Sequence, residues 1–390
     1  MISLKLAYRN LVGAGLRTWL NVGVLSFIYV LIIWHQGLFS GMYSQASRDL
    51  IADEVAGGQY WHRNYDPFDP WSLEEAHGPV PEPLRPLVRE NKAVPILIRQ
   101  GTIFPQGRVQ SVLIRGIEPD QSLLDLPTAA LKAEKTTLPI MVGRLMAQKN
   151  SLKKGDLLTL RWRDVNGTFD AADGEVVEIM RTNVPTLDQG QLWVPLADLR
   201  RMSLLDGRAT LIVMAESGSQ PAEFPGWEFK GREYLLRDIV EMVRTKRLGG
   251  VFIYAILLFL AVLAVFDTQV LSIFRRRKEI GTLMALGMTR TRVVGLFTLE
   301  GALHGILAIG AAAVYGIPIL VYSAGKGIPI PGSTTDYGLA ISTRLFPLYS
   351  AWLVMGTVAI IMLTVTVVSY LPSRKISHLN PTEALKGKLS

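Results

Sequence analysis

The chain has 390 residues, of which 49% are hydrophobic and only 19% charged; its formal net charge is +8 and it contains no cysteine. The charged share falls below the roughly one quarter usual in soluble domains. Without cysteine there are no disulfides, thiolate zinc centres or cysteine nucleophiles.

Taken in chain order, residues 1–19 read as a cytoplasmic interfacial helix. Leu4, Ala7, Tyr8, Leu11 and Val12 gather near one face and Lys5 and Arg9 lie elsewhere, which fits a helix on the membrane surface or simply a basic flank. Four long apolar blocks follow, at 20–41, 248–274, 293–322 and 346–371. Each meets the roughly 20 residues needed to cross a hydrocarbon core about 30 Å thick. The first block is too long and uniform for a signal peptide and is read as a retained span. The fold class expected is an α-helical membrane protein with four transmembrane helices and a large mixed α/β extracytoplasmic domain between helices one and two.

Basic residues flanking the spans set the orientation, because they stay in the cytoplasm. Lys5, Arg9 and Arg17 precede the first span, Arg275, Arg276, Arg277, Lys278, Arg290 and Arg292 lie between the second and third, and Arg374, Lys375, Lys386 and Lys388 follow the fourth. Both termini, the tail 372–390 and the segment 275–292 are therefore expected inside; residues 42–247 and the short loop 323–345 are expected outside. This rule and anionic lipid headgroups account for the positive charge, so no nucleic-acid partner is needed.

In the outside region, Val94–Phe104 and Arg108–Ile117 are β-rich runs around Pro105, Gln106 and Gly107, a hairpin signal. Further strands are expected at 157–162, 176–180, 192–195 and 210–214, with helices at 141–150 and 196–205, and the region is long enough for two subdomains. Residues 64–86 are crowded with proline and read as an irregular excursion.

Few residues propose chemistry. There is no P-loop, no G-x-S-x-G elbow and no histidine pair at metal spacing among His35, His62, His77, His304 and His378. Asp267 and Glu300 are the only Asp, Glu, Lys or Arg residues inside the four blocks, where charge is costly; each is either an ion-pair partner for Arg275 or another inner-side base, or a handler of substrate or protons. Pro318 in the third span is expected to kink it. In 275–292, Ile280, Leu283, Met284 and Leu286 form an apolar side broken by Gly287, with Glu279 facing the cytosol. That pattern fits either a partner-docking helix or an ordinary amphipathic loop.

The stretch FRRRKEIGTLMALGMTRTRVVGLFTLE, 274–300, resembles the signature of FtsX-like and MacB-like permeases of ABC transporters, through Arg276, Arg277, Glu279, Ile280, Gly281, Ala285, Leu286, Gly287 and then Leu299, Glu300 and Gly301. LAYRNLVGAGLRTWL (6–20) and NPTEALKG (380–387) resemble the opening and closing motifs of that family. GLFSGM (37–42), VGRLMAQKNSLKKGDLLTL (142–160) and LDQGQLWVPLADL (187–199) are similar to its lipoprotein-releasing branch, LolC and LolE. Three arginines before Lys278, Asp267 in place of a neutral residue, and the excursion 64–86 depart from the pattern.

The resemblance implies a non-catalytic permease subunit of the bacterial inner membrane that binds no cofactor itself. It would pair with a second permease, identical or related, and with two copies of an ABC ATPase carrying ATP-Mg. Arg276, Arg277, Glu279, Ile280, Gly281, Leu283, Leu286 and Gly287 would meet the ATPase, and cargo would be acted on at the outer face. A lipoprotein passed to a periplasmic carrier is the expected cargo; the alternatives are MacB-like efflux with an adaptor and FtsX-like control of cell-wall hydrolases. A cavity between subunits would be lined by Ile28, Leu31, Ile32 and His35, and shaped by Phe27, Tyr29, Trp34 and Phe39 unless those aromatics face lipid.

Overall fold

A computed structural model describes residues 15–132, 137–216, 222–329 and 344–374. The opening and closing motifs thus lie largely or wholly outside the described residues, as do most of 1–19, 323–345 and 372–390. Contacts divide the chain into two compact units, a helical one (1–42, 242–329 and 344–390) and a β-rich one (43–241 and 330–343).

Among the described residues, four helices are long and apolar enough to cross a membrane. They are α1 (Leu16–Leu50), α4 (Arg237–Arg275), α6 (Arg290–Lys326) and α7 (Ala351–Arg374), with the short α5 (Arg277–Ala285) between α4 and α6. α6 remains helical through Pro318. In the helical unit, Leu25, Tyr29 and Ile32 of α1 pack with Ala261 and Val265 of α4, Ala308 of α6 and Ile361 and Val365 of α7. The opposite faces leave Phe252, Phe259, Val314 and Trp352 exposed. Apolar surface on that scale is incompatible with water and suited to lipid.

The β-rich unit is built on one nine-stranded sheet. Its strands are β1 (Gly58–His62), β2 (Ala93–Ile103), β3 (Gln110–Ile117), β4 (Leu138–Gly143), β5 (Leu157–Arg163), β6 (Phe169–Met180), β7 (Gln191–Pro195), β8 (Leu211–Met214) and β9 (Trp227–Gly231). The order is β9-β1-β8-β2-β3-β7-β4-β6-β5. Gly101–Ile103 of β2 also pair with Leu160–Trp162 of β5, which joins the two ends of the last six strands and closes them into a small barrel. Strand alternation sorts the side chains. Leu97, Val112, Ile140, Leu160, Val176 and Leu192 fill one cluster with residues of α2 (Arg144–Asn150) and α3 (Leu196–Ser203). Val94, Ile96, Met141, Val177 and Trp193, at alternate positions, form a second.

Several expectations are corrected here. The hairpin lies close to its expected place, but residues 141–143 end a strand instead of starting a helix, and β1 and β9 were not anticipated. Residues 43–241 fall in one compact unit on a nine-stranded main sheet, not in two subdomains.

The proline-rich excursion carries short 3-10 turns at Pro70–Glu74 and Glu82–Leu84 and is pinned by buried Arg99, which donates to the Leu73 carbonyl at 2.9 Å. Within the same excursion, Nδ1 of His77 lies 3.1 Å from Nη1 of the sequence-distant Arg208, a contact that requires neutral imidazole. Burial, then Arg99 and Arg208, push the His77 imidazole down to about 4. Between that value and the ordinary pKa near 6.5, the unfolded chain binds a proton that the folded chain refuses, so stability falls as pH drops through this window. His77→Gln keeps an acceptor and should flatten the pH 4–6.5 limb of the unfolding profile. An unchanged slope would assign the acid sensitivity elsewhere.

Candidate coupling site

Helix α5 owes its limits to its ends. At its C-terminus Gly287 takes φ +92°, left-handed backbone that suits glycine. Its N–H then reaches the Met284 carbonyl at 3.1 Å, while Met288 N–H reaches that of Leu283 at 3.0 Å. This is the double closure of a Schellman motif, which stops a helix and turns the chain. At the other end, Arg276 occupies the N-cap position with φ −100°, and this break separates α5 from α4.

The break turns Arg276 inward. Its guanidinium binds two carboxylates at once, Glu279 one turn along α5, through bonds of 2.6 and 2.6 Å, and Glu300 of α6, through bonds of 3.0 and 2.8 Å. It also lies 4.9 Å from the centroid of Phe297. The side chain of Glu300 is 7% exposed and that of Glu279 49%, so one arm of the clamp is dry and the other wet. Arg276 holds the Glu279 carboxyl below its ordinary pKa. Beneath the clamp, Ile280, fully buried, packs with Ile273, Val293 and Phe297, and with half-buried Met284 and Met288. α5 is therefore fixed to α6 by charge and by apolar packing together.

The face left to solvent is small. Lys278, Glu279, Thr282, Ala285, Leu286 and Gly287 are exposed, Leu286 by 80%. The expected apolar docking side is thus corrected: Ile280 and Gly281 are buried against the protein's own helices and Leu283 is half-buried, while Leu286 points away from them. Arg277 lies 4.4 Å from the Phe274 ring centroid, at the edge of the site.

The two intramembrane acids separate. Glu300 is an ion-pair partner, of Arg276 and not Arg275; Asp267 is exposed on α4. Among the proposed cavity residues, Ile28 and Ile32 are 2% and 5% exposed inside the helical unit's own core, and Tyr29 is likewise buried. They do not present a free face; Leu31 and Trp34 are half-buried and Phe27 is exposed. His35 is half-buried, with Nδ1 2.9 Å from Tyr254 Oη. The sequence reading missed Phe297, although Val293, Phe297 and Glu300 recur at helical spacing.

Residues 251–381 match the FtsX-like permease C-terminal family. The chain is 25% identical over 161 residues to an uncharacterized ABC transporter permease of Methanocaldococcus jannaschii, covering 40% of this chain and 37% of that protein. It is 32% identical over 119 residues to the macrolide export ATP-binding/permease protein MacB of Campylobacter fetus subsp. fetus, covering 30% of this chain and 16% of MacB. Over 145 residues it is 29% identical to the ABC transporter permease YtrF of Bacillus subtilis, covering 37% of this chain and 33% of YtrF. The chain thus spans well under half the length of these curated relatives. Three of the four membrane-length helices among the described residues, α4, α6 and α7, lie largely inside the matched segment together with α5, so residues 251–381 are similar to the C-terminal domain of FtsX-like permeases and the chain is similar to ABC transporter permeases.

Proposed function

We propose that the chain is the non-catalytic permease subunit of an ABC transporter of the bacterial inner membrane, with both termini cytoplasmic and the β-rich unit outside. The observation that carries this reading is the clamp at Arg276, which fixes a short helix with an exposed leucine to a membrane-length helix. A separate ATPase, hydrolysing ATP-Mg, seats on the exposed end of α5. When it closes, the push is delivered through Arg276 and Ile280 into α6 instead of being lost in a flexible loop. With a second permease subunit alongside, the displacement acts on cargo at the outer face. The cargo we favour is a lipoprotein released to a periplasmic carrier, on the resemblances at 37–42, 142–160 and 187–199. The likeness to MacB supports efflux with an adaptor as the second reading.

Leu286→Asp tests the docking surface. Burying a leucine contributes about 1.5–3 kcal/mol, so recovery of a P-loop ATPase with the tagged subunit should drop about tenfold or more. Thermal stability of the subunit should stay unchanged, because Leu286 faces solvent. Undiminished recovery would sink the docking role. In wild-type pull-downs, a soluble carrier supports lipoprotein release and an adaptor supports efflux.

Orientation is testable with little background, since the native chain has no cysteine. Exposed Asn166→Cys should react with an impermeant maleimide in cells with a permeabilised outer membrane, and exposed Thr282→Cys should react only after lysis. The reverse pattern would overturn the topology and the mechanism with it.

A further inference from the structure

A cavity of about 380 Å³ opens on the outside of the barrel, where β2 and β5 close it and the proline-rich excursion lies alongside. Its floor follows from strand register. Ser111 of β3, Thr102 of β2 and Arg161 of β5 stand opposite one another across three adjacent strands, so their side chains share one face. Gln100 and Arg163, two residues along β2 and β5, return to that face, and Phe169 of β6 pairs with Arg163. The excursion supplies a wall. Arg163 binds Glu74 at 2.7 Å, and Arg99 donates to the carbonyls of Leu73 and Arg163 at 2.9 and 3.3 Å. These bonds fix the turn Pro70–Glu74 and hold Trp71 in place although it is 76% exposed.

The side chains with bonding capacity to spare define the ligand. Of the charged residues lining the cavity, three are arginines and one, Glu74, is a carboxylate already taken by Arg163. Arg99 is 5% exposed, bonds only to backbone carbonyls and keeps an Nε–H with no partner among the described residues. Arg161 lies 4.3 Å from the Phe169 ring centroid and meets no carboxylate among the described residues. The cavity is therefore short of negative charge. Gln100, Thr102 and Ser111 make no side-chain hydrogen bond among the described residues. They offer donors and acceptors beside the open ring of Trp71, and three adjacent strands span roughly 10 Å, room for a short saccharide.

We propose that this cavity binds an acidic saccharide, with its carboxylate on Arg161, its hydroxyls on Thr102, Ser111 and Gln100, and one ring face against Trp71. Charge-assisted bonds to guanidinium select the acid. An aromatic acid would satisfy Arg161 and Trp71 but leave the polar side chains of the floor unused. An extended peptide is disfavoured, because Gly101–Ile103 and Leu160–Trp162 are already paired on both sides and leave no free backbone edge at the centre of the site. The inference concerns the β-rich unit alone and does not depend on the transporter reading.

Saturation-transfer NMR on the purified full chain, in a detergent without a sugar headgroup, tests this. The probes are glucuronic, galacturonic and N-acetylmuramic acids, set beside glucose, galactose and N-acetylglucosamine. At least one acid should bind about tenfold more tightly than its neutral counterpart, the size of one charge-assisted hydrogen bond. Arg161→Gln should abolish that preference, and Trp71→Ala should weaken the acid and its counterpart alike. Both variants should melt at the wild-type temperature, because both side chains are exposed. No preference for any acid, a preference that survives Arg161→Gln, or indifference to Trp71→Ala would each overturn the inference. Displacement of the bound acid by equimolar acetate or inorganic phosphate would reduce the cavity to a simple anion site, and displacement by an equimolar acetylated tripeptide containing aspartate would make it a peptide site; both count against it. Acid binding that passes these arms stands even where no ATPase is recovered with the chain, a result that would count against the coupling reading alone.

Discussion

Arg276→Ala should destabilise the purified chain by about 3 kcal/mol or more, because removing one partner of a largely buried ion pair strands the other charge. Here the stranded group is Glu300, 7% exposed at its side chain. Replacing both partners, as in Arg276→Leu with Glu300→Leu, should recover most of that loss, since a well-packed apolar pair is often as stable as a buried ion pair. The two variants separate stability from transmission. If the clamp carries force, the double variant unfolds near the wild-type temperature and still loses cargo-dependent function about tenfold or more. Denaturation and transport measured on the same preparations check this. A stable double variant with full transport would show that Arg276 only holds the fold.

Gly301→Leu should be nearly as damaging for a different reason. Gly301 follows Glu300 on α6, and a Cβ added there would overlap the Ser369 side chain of α7 and come within 2.9 Å of Gln269 Nε2 of α4. Both neighbours are buried, Ser369 completely. Small residues at such crossings let membrane helices approach closely, and overpacking typically costs about 1–3 kcal/mol. The upper end is expected, because three helices meet and none can yield alone. Gly301→Ala should show a milder form of the same defect. A melting temperature unchanged in both variants would mean that α7 relaxes freely at this point.

The spans were legible because a bilayer imposes both length and composition on any helix that crosses it. What the sequence did not reveal was which face of a span meets protein. Lipid and a neighbouring helix are equally apolar, so Ile28 and Ile32, buried inside, looked no different from exposed Phe27. Strand β5 was plain from its alternation, every second side chain buried. β1 and β9 were not, because their pairing joins Gly58 to Gly231 across most of the domain and leaves no local trace. Residues 138–150 misled for a third reason, since the strand Leu138–Gly143 runs directly into the helix Arg144–Asn150, with Gly143 serving as both the last strand residue and the helix N-cap. At the site, the acidic partner and a basic cluster were visible. The choice of Arg276 among three successive arginines was not, because it follows from the backbone break between α4 and α5 and not from charge.

The unequal wetting of the two arms at Arg276 has a consequence for ionic strength. Dissolved salt screens charges that water reaches and leaves buried pairs little affected. Raising salt should therefore loosen Glu279, on the short helix, while Glu300 keeps its hold. The grip would change from a two-sided bracket to a one-sided hook without any covalent change, and α5 would still be retained by Ile280 in its apolar seat. The first effect of high salt would be on the angle at which α5 is presented, with its attachment to α6 outlasting it.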